Sequence, residues 1–212
     1  MDTPSPSLTP LKLTVFYDYI CPFCYIGSRR ILALGDEYDL QINWAGMEIH
    51  PETSEEGRTA DSLGYSSTQW TQMMQSLNSL AQEEGIVMRQ HNFTTNSGTA
   101  LKLAEAAKID GREVFYRLHE SLFEAFFCGG RNIADTHVLV ELGNNAGMSK
   151  EQIKRFADHT AITKRLQWNL QLASQRGVTS VPTYLIGNRL LTGAQSVKTL
   201  RSAADEASAT AV

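Results

Sequence analysis

An α/β fold interrupted by a large all-helical insertion is what this sequence predicts, and three observations predict it. Strand-type alternation is confined to the early stretch 11–46 and to a late stretch around 183–192. Between them, over about 58–175, apolar residues recur at helical spacing. Each terminal part also carries a helix of its own next to its strands. At 212 residues and 42% hydrophobic composition the chain can bury a substantial core, as one domain or as a domain with an insertion.

The elements follow in order. In "LKLTVFY", Leu11, Leu13, Val15 and Tyr17 alternate on one face, which marks a strand. After Cys21, the residues Cys24, Ile31, Leu34 and Tyr38 fall at helical spacing, and Pro22 sits in the first turn, where its missing N–H costs nothing. "LQINWAG" (40–46) is a second strand, and 50–64 is a polar linker out of the sheet. Three helical faces lie in the insertion: Trp70, Met73, Leu77, Leu80 and Ala81; Val114, Leu118, Leu122 and Phe126; Ile162, Leu166, Leu170 and Ala173. Asn96 and Asp135 are helix caps, and Gly129-Gly130 a helix stop. The chain returns at Arg176-Gly177, forms a hairpin over Gly187-Asn188, and closes with the helix "SVKTLRSAADEASA". Strand, helix, strand, hairpin and helix is the order of a thioredoxin-like sheet. Residues 11–57 and 176–212 therefore form a discontinuous thioredoxin-like domain, with 58–175 as an inserted helical domain.

Charge excludes some functions. There are 19 basic and 23 acidic residues, and no run of five or six like charges, so nothing asks for nucleic acid. No apolar run nears the roughly 18 residues of a membrane span. "MDTPSPSLTP" lacks the basic and apolar regions of a secretory leader, which points to the cytoplasm. No glycine pattern of a phosphate-binding loop is present.

The chemistry centres on Cys21-Pro22-Phe23-Cys24. A zinc site needs two more ligands, yet Cys128 is the one remaining cysteine, and His50, His91, His119, His137 and His159 form no ligand pair; no metal is expected. A structural disulfide would close a tiny loop in a reducing compartment. A working dithiol remains. Cys21 falls at a strand-to-helix turn, where the helix N-terminus lowers a thiol pKa, and Cys24 lies one turn on, more buried, as a resolving thiol. Pro22 and Phe23 then tune the pair. Asp18 would raise the thiol pKa if it came close; a solvated loop acid is the favoured reading. Val181-Pro182, just before the third strand, invites a cis bond that leaves the Val181 backbone free to pair with an extended substrate beside Cys21. Cys128 reads as a small buried residue, Phe115, Phe123, Phe126 and Phe127 as core, and His119 and His137 as structural.

The motifs "VFYDYICPFCYIG" and "GVTSVPTYLIGNRLLTGAQ" together resemble the DsbA-like thioredoxin-fold oxidoreductases, and among them the FrnE-like branch. "FTTNSGTALKLAEAA" and "FEAFFCGGRNIADTHVLVELGNNAGM" resemble that branch's helical insertion, so the likeness spans roughly 11–200. It implies Cys21 as nucleophile, Cys24 as resolving thiol, Pro182 as cis-proline, and a thiol–disulfide oxidoreductase of the protein-disulfide class. It also implies no bound cofactor, glutathione as a co-substrate, protein or small-molecule thiols and disulfides as partners, and a ligand-touching role for Gln195 in the Gly193-Ala194-Gln195 turn. The related 2-hydroxychromene-2-carboxylate isomerases use glutathione and usually a serine where this chain has Cys21. A glutathione-dependent isomerase or transferase is thus the alternative, followed by a non-catalytic chaperone-like or zinc-binding protein.

Overall fold

The computed structural model describes residues 8–89 and 92–210; the residues 1–7 behind the leader reading and His91 lie outside them. Strand β1 (Thr9–Tyr17) is central: β2 (Tyr38–Gly46) runs parallel to it on one side and β3 (Thr183–Ile186) antiparallel on the other. β4 (Arg189–Thr192) pairs with β3, giving the order β2-β1-β3-β4. The sheet is therefore mixed, and its two halves come from opposite ends of the chain. The alternation of β1 decides its faces: Leu11, Leu13, Val15 and Tyr17 are all buried on one side, while Phe16 packs on the other against Ala45 and Ala173. In the β3–β4 hairpin, Gly187 takes φ +57°, the conformation a glycine adopts without steric penalty.

Helix α1 (Pro22–Leu32) follows β1 and gives way to a tight turn, Ala33–Asp36. The helical spacing through Tyr38 thus overruns the helix. Gly35 and Asp36 weaken it there, and Tyr38 instead opens β2 opposite Thr9, its hydroxyl donating to Asp205. Between β2 and β3 the chain forms α2 (Ser67–Glu83), α3 (Gly98–Asp110), α4 (Arg112–Phe123), α5 (Thr136–Ala146), α6 (Lys150–Arg155) and α7 (Thr160–Gln175). Ser66 and Gln69 form a reciprocal capping box on α2, and Asp135 caps α5 by accepting from His137 N at 2.8 Å. Asn96 Oδ1 accepts from Gly98 N at 2.9 Å as α3 begins. α4 widens into a π-helical turn, Glu124–Cys128, before the chain leaves through Gly129-Gly130. Helix α8 (Val197–Thr210) packs on β1 and β3 and against α1.

On α7 the inward face differs from the spacing read above. Leu170 is exposed, and its neighbour Asn169 is fully buried. The amide of Asn169 donates to the Gly46 carbonyl at 3.3 Å and so ties α7 to the end of β2. One continuous apolar cluster takes in Leu13 and Tyr184 of the sheet together with Leu118 and Phe123 of α4 and Leu139 of α5.

Candidate dithiol site

The end of β1, the start of α1 and the start of β3 meet at one corner of the sheet. Cys21 is the N-cap of α1, in extended conformation, with Pro22 following in the first turn. Its carbonyl accepts from Cys24 N at 3.0 Å, and its N–H donates to Asp18 O at 3.3 Å, so backbone alone sets the turn. Both thiols are free. Cys21 is 6% exposed and Cys24 1%, so the first sulfur lies nearer the surface. Burial pushes the Cys24 thiol well above its usual range; the hydrogen bond to Cys21 and the charge of Cys21 add to this, while a backbone hydrogen bond from Asp18 eases it.

Across the corner, Cys21 Sγ donates to the Val181 carbonyl at 3.6 Å, joining residues 160 apart in sequence. The Val181–Pro182 peptide bond is cis. The Pro182 carbonyl accepts from Gly193 N at 2.8 Å, so the Gly193-Ala194-Gln195 turn supports this segment. The side-chain amide of Gln195 is turned into that same turn, donating to Thr192 O at 2.6 Å. Phe23 is half-buried against the core. The structure thus brings Cys21, Cys24, Val181 and Pro182 together, with Pro22 and Phe23 in the connecting turn.

Asp18 requires a correction. It is no solvated loop acid: it is fully buried, with Oδ1 accepting from Ile20 N at 3.3 Å and Oδ2 from Ile49 N at 2.8 Å. Burial raises its pKa to about 6, against the two N–H groups, which pull it down. Ile20 lies in the same loop and Ile49 beyond the end of β2, and together they hold the carboxylate under the loop that leads into Cys21.

Two buried features escaped the sequence reading. Arg30, on the same helix as the thiols, is buried and binds Glu83 and Glu84 at 2.5 and 2.7 Å, and the carbonyls of Ala194 and Gln195 at 3.1 and 3.3 Å. It fastens α1 to the end of α2 and to the turn beneath Pro182. The second is a chain of hydroxyls around His119. Tyr17 donates to Tyr19 at 3.4 Å; Tyr19 and Ser28 contact His119 Nδ1 and Nε2, each at 2.9 Å. His119 lies among Trp44, Phe115 and Phe123, and burial, helped by the Lys108 charge, lowers its pKa to about 3. It is a neutral, structural group that joins α4 to the loop before Cys21. Phe115, Phe123, Phe126 and Phe127 are buried, while Cys128 is half-buried and its thiol is pushed up by burial and Glu124. Among the described residues no cluster of three His, Cys, Asp or Glu side chains is placed to hold a metal ion.

Gly27, one turn beyond Cys24, is a further requirement. A Cβ there would stand 2.1 Å from the Tyr184 hydroxyl. Gly27→Ala is expected to cost about 1–3 kcal/mol through overpacking, measured by urea denaturation. Combining it with Tyr184→Phe should recover most of the loss, because the closest remaining atoms lie 3.3 Å away.

Comparison with known proteins agrees with this architecture. The probable DsbA oxidoreductase SCO1869 of Streptomyces coelicolor superposes with a TM-score of 0.82 at 22% identity, covering 93% of this chain and 89% of that one. A 2-hydroxychromene-2-carboxylate isomerase gives 0.68 at 19%, covering 92% and 95%. The cytosolic disulfide reductase DsbM of Pseudomonas aeruginosa, solved with GSH, gives 0.64 at 19%, covering 95% and 97%. These likenesses establish a shared fold. The model of the DSBA-like thioredoxin domain matches residues 12–205, nearly the whole chain, and the protein belongs to that family.

Proposed function

We propose that this protein is a thiol–disulfide oxidoreductase that works through Cys21-Pro22-Phe23-Cys24 by way of a mixed disulfide. The observation that carries the reading is the pair of free, stacked thiols at the head of α1, with the Val181 carbonyl 3.6 Å from the outer sulfur. In reduction, the Cys21 thiolate attacks a substrate disulfide, forming a Cys21–substrate bond and releasing one substrate sulfur. Cys24 then attacks Cys21, closing the Cys21–Cys24 disulfide and expelling the second sulfur, which leaves as a thiol once it takes up the Cys24 proton. Oxidation of a substrate dithiol is the same path reversed.

Pro22 and Phe23 tune the pair, and the Val181-Pro182 segment offers backbone to an extended substrate. Asp18, ionised above pH about 6 and lying close to Cys24, is the group that receives the Cys24 proton on its way out. Substrates are protein or small-molecule thiols and disulfides, with glutathione as an exchanging co-substrate near the Gln195 turn rather than a bound group. In this reading 11–57 with 176–212 carries the chemistry and 58–175 is the inserted helical unit. The cytoplasm is the proposed compartment, in keeping with DsbM, which is described as cytosolic. Among the described residues no helix is long and apolar enough to cross a membrane.

The test is reduction of a model protein disulfide with a thiol as electron source. Cys21→Ser should lower the rate by at least about a hundredfold, since the nucleophile is gone. A variant that kept the wild-type rate would overturn the assignment.

A further inference from the structure

Tyr184 of β3 is fully buried, yet its hydroxyl makes no hydrogen bond, a costly arrangement that a buried polar group seldom adopts without a role. The oxygen occupies the notch over Gly27, at the point where Pro182 Cγ also closes to 3.3 Å. Gly27 follows Cys24 by three residues and Cys21 by six, so this notch lies along the helix face that bears both sulfurs. The charged groups that act on the phenol are Cys24, Arg30 and Cys21, and burial holds its proton well above the usual range.

Other groups around the pair are already committed. The guanidinium of Arg30 spends its donors on Glu83, Glu84 and the carbonyls of Ala194 and Gln195. Asp18 is an acceptor, and its charge opposes a thiolate on Cys24. The Tyr184 hydroxyl is a donor with nothing to donate to.

We propose that Tyr184 is a positioning residue of the dithiol, its O–H steadying negative charge on the Cys24 sulfur. This rests on the oxidoreductase reading above. As Cys24 loses its proton and attacks Cys21 in the mixed disulfide, the Cys21–Cys24 bond forms and the Cys21–substrate bond breaks. The electron pair leaves on the substrate sulfur, which ends with the proton. A hydroxyl with no other partner, held over Gly27 one turn from Cys24, is free to turn toward the sulfur as charge develops there, and it lowers the cost of the charged attacker.

Tyr184→Phe tests this. The variant loses no existing hydrogen bond, so it should fold with unchanged or higher thermal stability. Because burial keeps Cys24 protonated in the reduced pair at neutral pH, the glutathione equilibrium there should stay in place, while the rate at which Cys24 resolves a Cys21–glutathione mixed disulfide should fall by roughly tenfold or more, as expected for a hydrogen bond to a charged group. In a Cys21→Ser background, Cys24 should titrate about one pH unit or more higher with Tyr184→Phe than without it. In the wild-type protein, the infrared C–O band of ring-labelled Tyr184 should shift as Cys24 ionises, a reading that does not depend on the variant folding. An active wild type with an unmoved resolution rate, titration and band would overturn the proposal. A wild type that neither reduces a model disulfide nor equilibrates with glutathione would instead remove the dithiol reading on which it stands.

Discussion

A Cys24→Ser variant is expected to accumulate a covalent adduct through Cys21 while multiple turnover falls by at least about a hundredfold. The reason is positional. Cys24 is almost fully buried behind Cys21 and lies in hydrogen-bond contact with it, so it is the sulfur placed to expel the substrate. Serine keeps the volume and removes the nucleophile. Cys21 would still attack, and the intermediate would persist. Non-reducing electrophoresis and intact-mass measurement after mixing with an oxidised model protein would show the adduct; dithiothreitol should release it. The same variant separates the competing chemistry, because a glutathione-dependent isomerisation of an aromatic substrate has no use for a resolving thiol and would survive. Full turnover in disulfide exchange without Cys24 would defeat the expectation.

The second large effect concerns acid. His119 titrates near pH 3 in the folded protein against 6.5 when unfolded, so below pH 6.5 the unfolded chain binds a proton that the native state refuses. Each pH unit across which this holds costs about 1.4 kcal/mol, or about 3 kcal/mol between pH 6.5 and 4 and a further 1.4 by pH 3. Asp18 works in the opposite sense. Its folded pKa is raised from 3.8 to about 6, so its contribution is greatest below pH 4 and is lost as the pH rises through 6, again by about 3 kcal/mol. Between pH 6.5 and 4 the two nearly cancel; below 4 only the His119 penalty grows. Urea denaturation across pH should therefore show these opposing limbs when they are separated. Asp18→Asn should uncover a steep acid loss between pH 6 and 4. His119→Gln should produce a protein that gains stability over that same interval. If both variants ran parallel to the wild type, the burial of these two groups would not be what controls its acid response.

Much of the architecture was legible because it follows from local pattern. The alternation in β1 and the turn at Gly187 are set by neighbouring residues, as is the proline after Cys21, and each stands where its spacing placed it. What stayed hidden depends on partners far along the chain. Asp18 looks like a loop acid until the Ile49 N–H, 31 residues on, arrives to bond it. Arg30 looks like the solvated side of a helix until Glu83, Glu84 and the Ala194 carbonyl surround it. On α7, positions 169 and 170 both satisfy a helical repeat, and the choice fell to the polar one because the open carbonyl of Gly46 needed a donor. Tyr184 read as an ordinary strand residue; the signal that could have marked it is Gly27, a helix glycine whose absent side chain makes room for an aromatic oxygen.

The 160 residues between Cys21 and Val181 also impose an order in time. On a ribosome adding about 5–20 residues per second, the segment that faces Cys21 emerges roughly 8–30 seconds after the cysteines themselves. Through that interval the nascent protein carries the two thiols and none of the wall that later encloses them. They are then ordinary cysteines, open to any oxidant or partner thiol in the vicinity, and they become a dithiol site only once the Val181-Pro182 segment has emerged and folded back. A chain stalled before residue 181 would thus present the thiols without the site.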